Sequence, residues 1–167
     1  MSGTKIRIRR AVVADVPVLL ELMRRLAKFE HYDAEFAVTT ETLLAQGFER
    51  DPPDFYALLA EDADGAGAPS GMLVYYLISF TFRARPTLYI KELYVAESAR
   101  GRGAGEALLR AAATDAVSLG CATIKWQVAE WNTRARAFYE RLGAAADHAW
   151  VDYALSENAL RDLADAR

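Results

Sequence analysis

The sequence predicts an α/β protein with one central mixed β-sheet and helices on both faces, in a single domain spanning residues 1–167. Three observations predict this class. Strand-like and helix-like hydrophobic periods alternate along the chain. A strand–helix–strand segment in the second half is typical of a crossover that makes two strands parallel. The chain has 167 residues, 53% of them hydrophobic, which is enough for a core that needs no disulfide or metal.

The first elements are a strand and two helices. Ile and Arg alternate over residues 6–9, which predicts a strand with one buried face. Asp15 is predicted to cap a helix that ends near Phe29, because apolar residues recur at helical spacing and Pro17 falls in the first turn. A second, weaker helix is predicted over residues 39–46, with the following glycine as its stop.

A run of strands occupies the middle of the chain. Two apolar segments, 55–60 and 72–82, flank a loop rich in Gly, Ala and Asp and predict a hairpin. A further strand is predicted over residues 88–95. It leads through a Gly-rich bend into a helix that stops at Gly120, and a strand over residues 122–128 follows at once. This segment is the predicted parallel crossover.

The last part of the chain is predicted to hold two helices and a strand. Asn132 is a strong N-cap for a helix that Gly143 closes. Residues 150–155 are predicted to form a last strand, and Ser156 to cap a terminal helix. The predicted element order is therefore β-α-α-β-β-β-α-β-α-β-α.

Composition excludes several classes of function. With 20 Lys+Arg against 23 Asp+Glu the net charge is −3, so no basic footprint for a nucleic acid is present. The longest apolar run, 72–82, is too short to span a bilayer, and no secretory signal is visible. We therefore expect no membrane partner and a cytoplasmic location. One cysteine, Cys121, and two histidines make a structural metal site unexpected.

The Gly-rich bend is the first candidate binding site. The first N–H groups of the helix it opens have no partner in the helix, and such a helix start attracts phosphate. Glycine lets the backbone approach an anion closely. Glu106 stands where a dinucleotide fingerprint has its third glycine, and no Lys-Ser or Lys-Thr follows as in a P-loop. The alternative is a tight strand-to-helix turn without a ligand. The bend consists of Arg100, Gly101, Arg102, Gly103, Ala104 and Gly105.

Asn132 and Tyr139 are the second candidates. They are seven residues apart, close to two helical turns, so they share one helix face. If that face looks toward the bend, a long ligand could place its phosphates on the bend and its reactive end beside Tyr139. Taken singly, Asn132 is equally explained as a helix cap and Tyr139 as a core aromatic.

Taken together, these residues resemble the GNAT superfamily of acyl-CoA-dependent N-acetyltransferases. The pyrophosphate loop of that family has Arg or Gln, two free positions, Gly, one free position, then Gly or Ala. Arg100, Gly103 and Gly105 match it. The resemblance covers most of the chain and is strongest to the spermidine/spermine and thialysine N-acetyltransferases. The segments that carry it are 26–30, 88–90, 93–95, 128–132, 138–139 and 141–143.

The resemblance implies a fold, a cosubstrate and residue roles. It implies the GNAT fold, acetyl-CoA, a small-molecule amine as the partner and a homodimer. By resemblance, the backbone of Leu93, Tyr94 and Val95 pairs with the pantetheine arm, and residues 100–105 hold the pyrophosphate. Asn132 then contacts CoA, and Tyr139 protonates the departing thiolate.

The chemistry also requires a base. An alkyl amine has a pKa of about 10.4, so reaching its neutral form at pH 7 costs about 4.6 kcal/mol. A base, often acting through water, must help. Glu92 is the predicted base, and His148 is the alternative. Tyr139 helps most as an acid if its pKa is lowered, for which Arg136 one turn earlier is a candidate source.

The sequence departs from the polyamine enzymes at the substrate end. Those enzymes carry a glutamate followed by an aspartate on the central strand, where this chain has Lys91 and then Glu92. His148 stands at another family glutamate position, two residues before Trp150. A cation beside a polyamine is repulsive, so we expect an amine that carries a carboxylate, such as a basic or diamino acid. Alternatively, Lys91 is a solvated residue outside the cleft. The predicted substrate-binding residues are Glu30, Lys91, Glu92 and Trp150, with Asp33 as a further carboxylate.

The sequence therefore predicts an enzyme that moves the acetyl group of acetyl-CoA to a primary amine of a small molecule by direct attack. The amine classes are diamines, polyamines and basic or diamino acids. Two alternatives stay open: a non-catalytic acyl-CoA-binding regulatory module, and an acetyltransferase acting on a protein lysine or N-terminus.

Overall fold

A computed structural model describes residues 5–65 and 67–166. The chain divides into two compact units, Met1–Gln127 and Val128–Arg167. The single domain expected over residues 1–167 stays a prediction.

The described residues of the first unit form one five-stranded sheet in the order β1-β2-β3-β4-β5. Neighbouring strands are antiparallel except β4 and β5, which are parallel and joined through α3. The predicted mixed sheet and parallel crossover are thus confirmed. The elements of this unit are β1 (Ile6–Arg10), α1 (Val16–Phe29), α2 (Thr40–Leu43), β2 (Tyr56–Asp62), β3 (Gly71–Ile78), β4 (Thr87–Val95), α3 (Ala104–Ser118) and β5 (Thr123–Trp126).

Two cores cover the two faces of this sheet. Alternate residues of β2 and β3 point to opposite faces, because successive side chains of a strand alternate. Leu59 and Val74 pack with α1 and α2 in one core. Leu58 and Tyr75 pack with α3 in the other. Helices on both faces are therefore confirmed, and both strands read as nearly continuous apolar runs because neither face is open to water.

Some element ends differ from the predictions. Asp15 is at the N-cap position of α1 but makes no side-chain cap bond. Its carboxylate instead accepts from the Val12 N–H at 2.8 Å and from Arg9 at 2.6 and 2.9 Å. The second helix does not stop at Gly47, because α2 continues as a π-helical turn, Leu44–Phe48. Strand β3 ends at Ile78, and the phenylalanines beyond it are exposed.

Strand β4 contains a β-bulge at Lys91. Val74 of β3 is opposite Glu92, whereas the next residue, Tyr75, is opposite Ile90. Lys91 is therefore the extra residue, and it is exposed. A bulge bends its strand and changes which face the following side chains occupy.

The second unit contains α4 (Thr133–Arg141) and α5 (Glu157–Asp165). Both N-caps are confirmed: Asn132 Oδ1 accepts from the Ala135 N–H at 3.1 Å, and Ser156 Oγ accepts from the Ala159 N–H at 3.3 Å. The predicted strand over residues 150–155 is wrong. The segment has no strand partner among the described residues, and Trp150 is 80% exposed. Alternation predicts a strand only where a neighbouring strand is available to pair with it.

Candidate active site

Strand β4 has an open backbone edge beyond Ile90. Its parallel pairing with β5 ends at Ile90 and Trp126, while β4 continues to Val95. Ala96 N–H donates to the Ser70 carbonyl at 2.8 Å. Paired and unpaired positions alternate along an antiparallel ladder, so the backbone groups of Tyr94 face β3.

The same alternation directs the backbone groups of Leu93 and Val95 to the open edge. The Val95 carbonyl already accepts from Arg100 Nε at 3.0 Å. The backbone groups available on this edge are therefore the N–H and C=O of Leu93 and the N–H of Val95. They suit an extended ligand that pairs like an added strand.

The bulge brings Glu92 to the α1 face of the sheet. Without the extra residue at Lys91, Glu92 would share a face with Ile90, which packs in the α3 core. The register instead aligns Glu92 with Val74, which packs in the α1 core. The bulge thus decides which helix Glu92 faces.

Glu92 is a half-buried residue with one buried carboxyl oxygen. That oxygen, Oε2, has no hydrogen-bond partner among the described residues. Burial raises the pKa of Glu92 to about 7; the Lys91 ammonium opposes this shift and the Glu30 charge adds to it. A carboxyl that titrates near neutral pH is well suited to accept and release a proton.

The C-terminal end of α1 supplies two more groups to this cluster. His31 has a left-handed backbone with φ 64°, and the Tyr32 N–H donates to the Ala27 carbonyl at 3.0 Å. Burial raises the pKa of Glu30, against the opposing charge of Lys91. Burial also raises the pKa of Tyr32 to about 12, and the charges of Glu92 and Glu30 add to that shift.

Charge effects link Glu92 with Glu30, Lys91 and Tyr32, and Glu30 with Lys91 and Tyr32. The sequence predicts three of these four as site residues, and Tyr32 is the one that it does not predict. Its position two residues after Glu30 was the only signal. Asp33 lies in an exposed 3₁₀ turn, Asp33–Glu35.

The Gly-rich bend has the geometry of an anion site. Gly101 and Gly103 have φ of 78° and 83°, and a Cβ at either position would meet nothing within 4 Å. Gly103 is the N-cap residue of α3, so the first amides of that helix have no partner within it. Ala104 is buried, and Gly105 follows it in the first turn.

Two arginines flank these glycines. Arg102 pairs with Asp62 at 2.5 Å. The Arg100 guanidinium lies 5.0 Å from the ring centre of Phe29 and 5.9 Å from that of Tyr94. Open space, left-handed glycines and nearby cations together favour a phosphate-bearing ligand.

The remaining predicted residues lie in the second unit. Tyr139 is half-buried on α4, and its ring centre lies 5.3 Å from that of Phe138. Arg136 Nη1 donates to the Glu130 carbonyl at 3.4 Å. Trp150 and His148 are exposed and lie outside the helices of this unit. Their roles stay predictions.

A family model described as "Acetyltransferase (GNAT) family" matches residues 18–144. The chain belongs to the GNAT acetyltransferase family. It is 32% identical over 166 residues to thialysine N-epsilon-acetyltransferase of Mus musculus, covering 95% of this chain and 96% of that protein. It is 28% identical to an L-ornithine N5-acetyltransferase of Arabidopsis thaliana, covering 94% of this chain and 87% of that protein. Family membership makes this chain an N-acetyltransferase.

A solved structure agrees with the GNAT fold. An integron cassette protein from the mobile metagenome of V. cholerae superposes with a TM-score of 0.75 at 24% identity, covering 98% of this chain and all of that one. No described helix is long and apolar enough to cross a bilayer. No group of three or more His, Cys, Asp or Glu among the described residues could hold a metal ion.

The residues of this GNAT chain fit acetyl-CoA, the cosubstrate of the family. The space above Gly101 and Gly103 is open where side chains would fill it. Leu93 and Val95 lie beyond the end of the pairing with β5, on the same strand as the buried Oε2 of Glu92, which has no partner among the described residues. Phosphate, pantetheine and amine each have a candidate location in the first unit.

Proposed function

We propose that this GNAT enzyme acetylates the primary amine of a small zwitterionic substrate, a basic or diamino acid, from acetyl-CoA. The observation that carries the proposal is Glu92, a buried carboxyl with one unpartnered oxygen and a pKa of about 7. Lys91 is next to it on the bulge and adds a cation that a diamine substrate would not need.

The relatives support a zwitterionic substrate. The mouse and Arabidopsis proteins are named for thialysine and ornithine, which are amino acids with an amine in the side chain. Such a substrate carries an ammonium for Glu30 and Glu92 and a carboxylate for Lys91. A polyamine carries several cations and no anion, so Lys91 would repel it. Trp150 is proposed to contact the substrate on the family resemblance alone.

Glu92 is the proposed acceptor of the proton that the substrate ammonium loses. An ammonium of pKa about 10.4 loses its proton at pH 7 at a cost of about 4.6 kcal/mol. Above pH 7 most of Glu92 is ionised, so Oε2 accepts that proton directly or through one water. Glu30 orients the ammonium without needing to take the proton, and the raised pKa of Tyr32 keeps its hydroxyl protonated as a donor.

The cofactor residues bind in three places. Leu93 and Val95 pair with the pantetheine arm, and Tyr94 contributes its side chain because its backbone faces β3. The amides of residues 101–105 and the charges of Arg100 and Arg102 hold the pyrophosphate. Asn132 contacts CoA. When bound, acetyl-CoA supplies the thioester carbonyl that the neutral amine attacks.

Tyr139 donates its phenolic proton to the departing sulfur, and the second proton that the nitrogen releases on becoming an amide restores the phenol. A thiol has a pKa of about 8.5 and a free tyrosine about 10, so full transfer from an ordinary tyrosine is uphill by about 2 kcal/mol. The proposal therefore assigns Tyr139 a partial proton donation as the thiolate charge develops. We further propose one functional domain over both units, a cytoplasmic location and, on the family resemblance, a homodimer. The family match over residues 18–144 crosses the boundary between the units.

The first experiment measures CoA thiol release by the purified protein. The amines are lysine, ornithine, thialysine, diaminobutyrate, spermidine, a simple diamine and a lysine peptide, with an amine-free blank. We expect kcat/KM to be at least tenfold higher for the diamino acids than for spermidine. Higher values for spermidine would overturn the zwitterion proposal and leave the transferase intact.

A second arm tests the charge pattern on one scaffold. Lysine methyl ester keeps both amines of lysine but removes the carboxylate. We expect kcat/KM to fall about tenfold for the ester, because the partner of Lys91 is lost. Equal values for lysine and its ester would show that Lys91 does not bind the carboxylate.

A further inference from the structure

The Arg100 guanidinium is held by three contacts from outside its own loop. Its Nε donates to the Val95 carbonyl at 3.0 Å. Its central carbon lies 5.0 Å from the ring centre of Phe29 and 5.9 Å from that of Tyr94. Guanidinium groups within about 6 Å of an aromatic ring centre are attracted by the ring quadrupole. The last residue of α1 and a residue of β4 thus both contact the first residue of the Gly-rich bend.

These contacts leave part of the guanidinium unused. No group among the described residues accepts a hydrogen bond from either Nη atom of Arg100. Arg102 differs, because its Nη2 is engaged by Asp62 at 2.5 Å. Stacking between rings restricts the rotamers of a long side chain without consuming its terminal donors. Arg100 is therefore oriented and still able to bind an anion.

We propose that Phe29 and Tyr94 are positioning residues for the cofactor: their rings hold Arg100 so that its Nη donors bind the pyrophosphate. This rests on the proposed function, which requires acetyl-CoA to bind at the bend. Tyr94 then acts through its ring, in agreement with the register that turns its backbone toward β3.

The experiment compares cofactors with and without the pyrophosphate. Calorimetry gives the Kd of CoA, and initial rates give the KM of acetyl-CoA and of acetylpantetheine, which ends before the pyrophosphate. Phe29→Leu keeps apolar bulk but removes the ring. We expect Kd for CoA and KM for acetyl-CoA to rise about three- to tenfold, with kcat and the KM of acetylpantetheine unchanged. Phe29→Tyr keeps the ring and is expected to retain wild-type values.

Two controls separate positioning from folding. Phe82→Leu removes an analogous ring 5.4 Å from the Arg83 guanidinium in an exposed loop, and we expect it to leave both KM values unchanged. In an Arg100→Gln background, Phe29→Leu is expected to add no further loss of CoA affinity, because the cation that the ring attracts is absent. Thermal unfolding of each variant checks that it is folded.

Three results would overturn the proposal. They are an unchanged Kd for CoA in Phe29→Leu, an equal loss with acetylpantetheine, or the same loss in the Arg100→Gln background. Failure of the proposed function is a different result, since the wild-type protein would then bind no CoA and release no thiol.

Discussion

Glu61 and Glu92 are two buried carboxyls in one sheet, and their surroundings are opposite. Glu61 on β2 is 6% exposed and forms ion pairs with Arg7 and Arg9 of β1. The bond to Arg7 is the main reason that the pKa of Glu61 is lowered. Glu92 on β4 has an unpartnered oxygen and a pKa raised to about 7.

The difference separates an ion-paired carboxylate from the carboxyl that we propose as the base. The two ion pairs hold Glu61 ionised and stabilise the pairing of β1 with β2. No described residue donates a hydrogen bond to Oε2 of Glu92, which costs folding free energy. Groups with strongly shifted pKa values cluster at functional sites. The following predictions test whether this contrast in the two carboxyls corresponds to a contrast in role.

The largest expected effect is on the rate of Glu92→Gln. Loss of a general base costs about 10²- to 10⁴-fold, and we expect kcat/KM for the best amine to fall by about 10³. In the wild type, kcat/KM should fall as the pH drops below about 7, where Glu92 becomes protonated. This fall is the acid limb of the pH profile, and the variant should lack it.

The matched control for that experiment is Glu49→Gln, the same change at an exposed glutamate. It should retain the wild-type rate and pH profile. A wild-type limb that survives in Glu92→Gln would assign the base to another residue, and His148→Ala would then be measured.

The second expected effect is on thermal stability: at pH 8 the change in Tm has opposite signs for Glu92→Gln and Glu61→Gln. A rise in the pKa of Glu92 from 4.5 to about 7 corresponds to a penalty of up to about 3 kcal/mol. The penalty is absent below pH 4.5, where Glu92 is protonated in both states. It grows between pH 4.5 and 7, where Glu92 is ionised in the unfolded chain but still protonated in the folded one, and it is complete above pH 7. Glu92→Gln should therefore raise Tm by about 5 to 10 °C at pH 8, and by little at pH 4.5.

Glu61→Gln is the counterpart. Because the folded state lowers the pKa of Glu61, its ionised form stabilises the fold above the unfolded pKa and loses that effect as the pH falls. The variant should have a lower Tm at pH 8, with a loss that shrinks toward acid pH. Thermal unfolding between pH 4 and 9 measures both variants. Equal signs at pH 8 would contradict the contrast between the two carboxyls.

The third effect concerns Tyr139, the proposed acid. Tyr139→Phe removes the hydroxyl and keeps the ring, so the contact with Phe138 is retained. We expect kcat to fall about 10- to 100-fold, with the KM of acetyl-CoA changed less than threefold. Tyr153→Phe, at an exposed tyrosine of the same unit, is the matched control. An unchanged kcat would remove Tyr139 from the mechanism.

Tyr139 and Glu92 also show how far the sequence predicts the site. Asn132 and Tyr139 follow from a motif and a helical period, which are local patterns. The orientation of Glu92 depends on the bulge at Lys91, and that depends on the register against β3. The register is the alignment of β4 with a different segment of the chain, β3. A period-two pattern in the sequence of β4 alone therefore cannot reveal the bulge. The same limit applies to residues 150–155, whose predicted strand has no strand partner among the described residues.

The fold was more predictable than the contacts of the site. Strands β2 and β3 are buried on both faces, and their continuous apolar runs identify them directly. The role of Tyr32 depends on a left-handed turn at His31, a conformation that is uncommon outside glycine. No pattern in the sequence indicates it. The stacking of Arg100 on Phe29 likewise joins residues that are far apart in the chain.

The smallest expected effect is that of Lys91 variants on substrate selectivity and on the pH profile. Lys91 lowers the pKa of Glu92 and Glu30 and is itself exposed on the bulge. Lys91→Glu should shift the ratio of kcat/KM for spermidine over lysine by at least tenfold toward spermidine, about 1.4 kcal/mol.

Lys91→Met removes the charge alone. It should move the acid limb of the pH profile to a higher pH than in the wild type, because the cation that lowers the pKa of Glu92 is lost. Lys91→Arg keeps the charge and should leave the limb in place. An unaltered selectivity ratio in Lys91→Glu would mean that Lys91 tunes the base without contacting the substrate, and the carboxylate of the substrate would then need another partner.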